Sequence, residues 1–224
     1  MDSIEKNLAN WRTSRMKSIP LAGLFSRNPV AYSRKAPFRC WLLREAAFWR
    51  ISDLLTQSHV LHQQGYCLGA RILLRSAFET VATIIYLNQL IKQVLNDDLD
   101  FDTFTEKTSV LLLGSRDGST NYKSLNIVTI LQKCDEMYPG VENLYAKLSE
   151  AAHPNYEGMM TGYSRTDHND FETHFSNRWM EIHGESHLAA MELCMMIFQT
   201  EYDDVWPKNI ENLESWIVAH NDDL

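Results

Sequence analysis

The sequence is poor in the residues that punctuate strands. Only 9 Gly and 6 Pro occur in 224 residues, too few to turn the many short strands of an all-β sandwich, so the balance leans towards helices. Cysteine is scarce and scattered. Cys40, Cys67, Cys134 and Cys194 form no Cys-x-x-Cys pair that would clamp zinc or run redox exchange, and buried thiols in a reducing compartment are expected. Long apolar runs are also missing. The longest, residues 81–91, falls well short of the ~18 to 20 residues that cross a bilayer. Residues 19–25 are interrupted by Pro20 and lead into no small-residue cleavage pattern, so no signal peptide is read. A cytoplasmic protein without membrane contact is the expectation. Positive charge is in deficit: 21 Lys and Arg face 29 Asp and Glu, a net charge of -8. That balance argues against a general nucleic-acid coat and leaves room for a local basic site.

What is present is unevenly distributed. Residues 1–50 carry ten Lys and Arg against three Asp and Glu, so the acid is concentrated in the remainder. Residues 1–37 read as a basic arm with one short helix, which lies on the acidic body or touches the phosphate of RNA or of a membrane surface. Beyond Pro37 the apolar residues Leu43, Ala47, Ile51, Leu54 and Leu61 recur at helical steps, predicting a long amphipathic helix over residues 38–64 that Gly65 closes. A second long helix over residues 66–96 follows as its antiparallel neighbour. Residues 97–124 read as a loop with a short helix at 104–113. A third helix stops at Pro139-Gly140, a fourth occupies residues 141–152 and is ended by Pro154, and a fifth spans residues 173–202. Pro207 opens a terminal helix where proline is tolerated. No strand shows convincing alternation. The fold class is therefore all-α: a single-domain helical bundle of about five long helices, with an arm at 1–37, the bundle at 38–206, and a C-terminal helix and acidic tail at 207–224.

Residues 66–91 hold the most informative pattern. They are apolar or small nearly all round, and their only charged residues are Arg71, Arg75 and Glu79. Spacing of i, i+4, i+8 advances about 40° per step, which puts all three on one stripe of a buried helix. Isolated charges are prohibitively costly to desolvate, so this seam is internally paired, meets partners on another helix, or lines a wet cleft. The first alternative is an Arg75–Glu79 ion pair that fixes helix register. The last is a guanidinium and a carboxylate held ready to bind phosphate and shift proton affinities.

A second pattern runs from Tyr145 through Lys147 and Ser149 to His153-Pro154. Ser149 and His153 stand four apart at a helix end, where the terminal carbonyls favour an imidazolium and Pro154 turns the chain outward. His153 serves either as a general acid or base and phosphate contact, or as a cap at the surface. Lys147 and Ser149 are candidate phosphate contacts beside Arg71. His183 and His187 have the spacing of helical metal ligands, but no cysteine and no His-Glu-x-x-His accompanies them. Neither a metal nor another cofactor is expected.

The segment Arg75-Ser76-Ala77-Phe78-Glu79, followed some 70 residues later by Leu148-Ser149-x-x-x-His153-Pro154, resembles an uncharacterised bacterial all-helical family near the HEPN superfamily. The resemblance covers roughly residues 38–202. It implies a dimeric helical bundle of the kind that acts as a metal-independent RNase in toxin and antiphage systems. RNA would then be a partner, His153 would move the proton, Arg75, Arg71 and Lys147 would hold phosphate, and Glu79 would orient a basic group. The superfamily's signature is Arg followed by His after four to six residues. Lys147 occupies that place before His153, and Arg178 with His183 supplies a formal match. The contrasting reading is a non-catalytic helical protein that acts by binding a partner protein, with the seam purely structural.

Overall fold

The computed structural model describes residues 3–223. Among them are ten α-helices: α1 (Ser3–Ser14), α2 (Leu21–Arg27), α3 (Pro29–Ser33), α4 (Lys35–Gln63), α5 (Cys67–Leu95), α6 (Phe101–Leu113), α7 (Ile127–Asp135), α8 (Val141–Ala152), α9 (Trp179–Gln199) and α10 (Trp206–Ala219). A π-helical turn, Tyr156–Thr161, leads into the antiparallel hairpin β1 (Ser164–Asp167) and β2 (Glu172–Phe175), and a second, Thr200–Val205, joins α9 to α10. The chain is predominantly helical, as expected, but the helix number differs from the expected five. Only α4, α5 and α9 are long. The arm holds three short helices where one was expected, because Pro20, Pro29 and the Asn28 cap break the chain into short pieces. The expected fifth helix at 173–202 begins six residues later. Its first residues instead form β2, a strand exposed at all four positions, so no buried face imposes the alternation that would have marked it.

The antiparallel pair α4 and α5 forms the centre. Gly65, at φ +82, ends α4 and lets the chain reverse where a side chain would be strained. α5 meets α4, α6, α7, α8, α9 and α10. Accordingly 17 of its 29 residues are buried, with Leu74, Phe78, Ile84, Ile85 and Leu87 fully enclosed. This explains why its apolar pattern runs nearly all round. Gly140, at φ +99, starts α8, which crosses α5, and His153 ends it in an extended conformation, as a residue before proline must.

Residues from the arm join the same core. Ile4, Leu8 and Trp11 of α1 pack with Phe48 and Phe198, and Tyr32 of α3 donates to Glu214 of α10 at 2.5 Å. Burying each large apolar side chain contributes roughly 1.5 to 3 kcal/mol, enough to hold α1 in place. The four cysteines are free and buried. No helix among the described residues is long and apolar enough to cross a membrane.

Candidate functional site

The charged seam of α5 divides in two. Across eight residues the stripe turns by about 80°, so its two ends meet different neighbours. Arg75 and Glu79 face α8 and a cleft. Arg71 reaches a backbone carbonyl of α8, Glu157 of the π-helical turn and the histidines of α9.

At the first end, the Arg75 guanidinium donates from Nε to Ser149 Oγ at 2.9 Å and from Nη2 to Tyr145 Oη at 2.7 Å. Tyr145 Oη donates in turn to Glu79 Oε1 at 2.9 Å, and Arg75 Nη2 lies 3.4 Å from the same carboxylate oxygen. The Arg75 guanidinium also sits 5.0 Å from the Tyr145 ring centroid. Burial, followed by the bond to Glu79, raises the proton affinity of Tyr145 above its ordinary value. The phenol therefore stays protonated and bridges cation to anion. Arg75 and Glu79 side chains remain 27% and 25% exposed, so this is a network open to water on one side and not a dry ion pair.

The open side faces a cleft of about 560 Å³ between α4, α5 and the loop that precedes α7. Leu43, Ala46 and Ala47 of α4 and Ile127 of α7 give it an apolar wall. Three arginines, Arg50 of α4, Arg75 of α5 and Arg116 of the loop, line it together with one acidic residue, Glu79; Thr80 and Thr83 complete the polar side. Arg50 is held by its Nε bond to Thr80 Oγ1 at 3.2 Å, and Thr80 is itself fixed by donating to the Ser76 carbonyl at 3.0 Å. The exposed Arg116 makes no hydrogen bond or ion pair with a described residue. A chain with an excess of eight negative charges thus concentrates positive charge at one concave place.

Arg50 and Arg116 were not singled out in the sequence. Arg50 stands at i+7 from Leu43 and i+3 from Ala47, the spacing that puts it beside the apolar stripe of α4. That spacing was the one available signal. Arg116 lies in irregular chain, where no period marks which side chain turns inward.

At the other end of the seam, Arg71 is buried and donates from Nη2 to the Lys147 carbonyl at 3.3 Å, while its Nε has no partner. Desolvation lowers its proton affinity, and Cys67 and Glu157 partly restore it. His183 lies nearby: burial first, then the charge of Arg71, pushes its pKa down to about 4. Its Nε2 is 3.8 Å from Glu157 Oε1, and its ring packs against the enclosed Trp179. Deeper in, His187 is driven down to about 3 by burial and by His62, Arg71 and His59. Its Nε2 lies 3.2 Å from Ser58 Oγ, its ring stacks on His62 at 5.1 Å, and His62 Nε2 meets the Gly184 carbonyl at 3.0 Å. These side chains sit between α4, α5 and α9. Among the described residues no group of three or more His, Cys, Asp or Glu is placed to hold a metal ion.

The structure thus brings Arg75, Glu79 and Ser149 together and separates them from the other candidates. Lys147 is exposed and contributes only its carbonyl, to Arg71. His153 is exposed at the end of α8, its ring makes no hydrogen bond or ion pair among the described residues, and it does not line the cleft. Arg178 pairs with Glu181 at 3.0 Å and donates to the Ser164 carbonyl at 2.9 Å, fastening the hairpin to α9. Comparison of the chain with protein-family models, with curated proteins and with solved structures gives no match.

Proposed function

We propose that this protein binds RNA through phosphate contacts in the cleft between α4 and α5, as a HEPN-like bundle. The observation that carries the reading is the convergence of Arg50, Arg75 and Arg116 on one cleft that holds a single carboxylate. Guanidinium forks match phosphate oxygens in planar, two-pronged geometry, and a site of this size range encloses a small ligand against an apolar wall. Cleavage of the bound strand without a metal would need a base to accept the proton of an attacking 2'-hydroxyl. Glu79 is the carboxylate in the cleft, and Tyr145 keeps it oriented. His153 in that role would require the substrate to extend from the cleft to the end of α8.

Fluorescence anisotropy with a labelled single-stranded RNA tests binding. Arg50→Ala combined with Arg116→Ala should weaken affinity by at least tenfold. It should also shrink the salt dependence, since each lost phosphate contact lowers the slope by about 0.7 on a single strand. Unchanged affinity in that variant would sink the reading. For cleavage, total RNA is incubated with the protein in EDTA. Loss of activity in Glu79→Gln assigns the proton transfer to Glu79, and loss only in His153→Ala assigns it to His153.

A second reading, association with another copy of this chain, is favoured by the hairpin. In the register Ser164 opposite Phe175, with Ser176 N–H donating to the Tyr163 carbonyl at 3.0 Å, the backbone groups of Ser164 and Thr166 on β1, and of Thr173 and Phe175 on β2, point outward. Arg178 occupies the Ser164 carbonyl, which leaves the β2 edge open. Phe171 and Phe175, 92% and 75% exposed, flank that edge, and a two-stranded ribbon alone is marginally stable. Antiparallel pairing of β2 with its symmetry mate lets Thr173 exchange hydrogen bonds with the partner's Phe175. Sedimentation equilibrium should give a dimer that Phe171→Asp with Phe175→Asp converts to monomer; a monomeric parent chain refutes this.

A further inference from the structure

We infer that the α4–α5 cleft takes a terminal phosphomonoester, the phosphorylated end of an RNA strand or a free mononucleotide, in preference to a phosphodiester within a strand. This deepens the RNA reading and rests on it for the strand, while the argument for the phosphate group comes from the cleft itself. Three arginines and one glutamate are the charged residues that line the cleft, a formal excess of two positive charges. An internal phosphodiester carries one negative charge. A terminal monoester carries close to two at neutral pH, because its second ionisation lies at about pH 6. The doubly charged group is the better match, and a lone diester would leave one guanidinium uncompensated in a concave site.

Donor placement agrees with charge. Arg75 spends Nε and Nη2 on Ser149, Tyr145 and Glu79, which leaves Nη1. Arg50 spends only Nε, on Thr80, which leaves both of its terminal nitrogens. The guanidinium of Arg116 has no partner among the described residues. The free donors therefore come from three separate segments of chain around one space, an arrangement that suits the three equivalent oxygens of a terminal phosphate better than the two free oxygens of a diester. The extent of the cleft points the same way. About 560 Å³ is the room of one small ligand, and the apolar wall of Leu43, Ala46, Ala47 and Ile127 offers a base a surface to lie against beside the phosphate contacts.

The test compares three versions of one short RNA with the full-length protein by anisotropy: 5'-phosphorylated, 3'-phosphorylated, and with hydroxyl groups at both ends. One phosphorylated form should bind at least tenfold more tightly than the hydroxyl form, and which one does so identifies the end that is read. Arg116→Ala should reduce that preference to less than threefold with the melting temperature unchanged. Calorimetry with adenosine monophosphate and with adenosine serves as the second arm, in which only the phosphorylated compound should bind. Equal binding of all three RNAs overturns the inference and leaves the RNA reading standing. Binding of the mononucleotide with no RNA binding in any form overturns the RNA reading and retains the phosphomonoester site. Binding of neither overturns both.

Discussion

Replacing Arg75 with alanine probes the network that shapes the cleft. The side chain makes two hydrogen bonds from a charged donor, to Ser149 and Tyr145, and an ion pair with Glu79 at 3.4 Å. Bonds of that kind contribute about 1.5 to 3 kcal/mol each where water is excluded. Here about a quarter of each charged side chain faces solvent, and water takes over part of what is lost. Tyr145 still donates to Glu79 after the substitution, so the carboxylate is not orphaned, and the ~3 to 5 kcal/mol for breaking a dry pair does not apply. A cost of about 2 to 3 kcal/mol is expected for Arg75→Ala and about 1 kcal/mol for Glu79→Ala, which leaves Tyr145 and a half-open arginine. The direct coupling between the two charges should be about 1 kcal/mol or less, as for a partly solvated pair. Urea unfolding at neutral pH and low salt, followed by circular dichroism for both single variants and the double, measures all three quantities through a double-mutant cycle. An Arg75→Ala cost below about 0.5 kcal/mol would refute the network. A coupling above about 3 kcal/mol would refute the claim that water enters it.

Three other expectations follow from separate parts of the molecule. His183 and His187 have folded-state pKa values of about 4 and about 3, below the unfolded value of about 6.5, so between those limits the unfolded chain binds more protons. Stability therefore falls as pH drops from about 6.5 towards 3, by up to about 1.4 kcal/mol per histidine per pH unit; His187→Gln should flatten urea-midpoint profiles over that range, and an unchanged slope contradicts the assignment. A Cβ on Gly162 would stand 2.5 Å from the enclosed Trp179 ring, so Gly162→Ala should lower stability by roughly 1 to 3 kcal/mol and disturb Trp179 fluorescence. Arg178→Ala removes the clamp on the Ser164 carbonyl and the Glu181 pair; it should speed amide exchange in the hairpin while changing global stability by under about 1 kcal/mol.

How far the site could be read ahead depended on whether its residues share a helix. Arg75 and Glu79 lie four apart on one helix, and their pairing needed only the helix. Ser149 was visible as part of a polar face at the end of α8, although the same segment also advertised His153, which ends the helix and turns out to solvent. Tyr145 opened that same pattern without a role of its own, because one local pattern cannot tell a packed ring from a hydroxyl that bridges two charges. The π-helical turn and the hairpin were missed for a related reason. They bury little, and only burial imposes a period on a sequence.

By itself the sequence determined that the chain is helical, that α5 is buried on nearly every side, and that a charged stripe on it must find partners. These follow from local rules: the turn of a helix, the cost of burying apolar and charged groups, and the places where glycine and proline stop a segment. Tertiary structure alone decided where each end of that stripe goes. Four residues of helix, about 6 Å along the axis and 40° around it, separate Arg71, which lies beside the histidines of α9 and a carbonyl of α8, from Arg75, which meets Tyr145, Ser149 and the cleft. It also decided which distant arginines join them, because Arg50 and Arg116 reach the cleft through the packing of α4 and the path of a loop, and neither is written in the neighbourhood of α5.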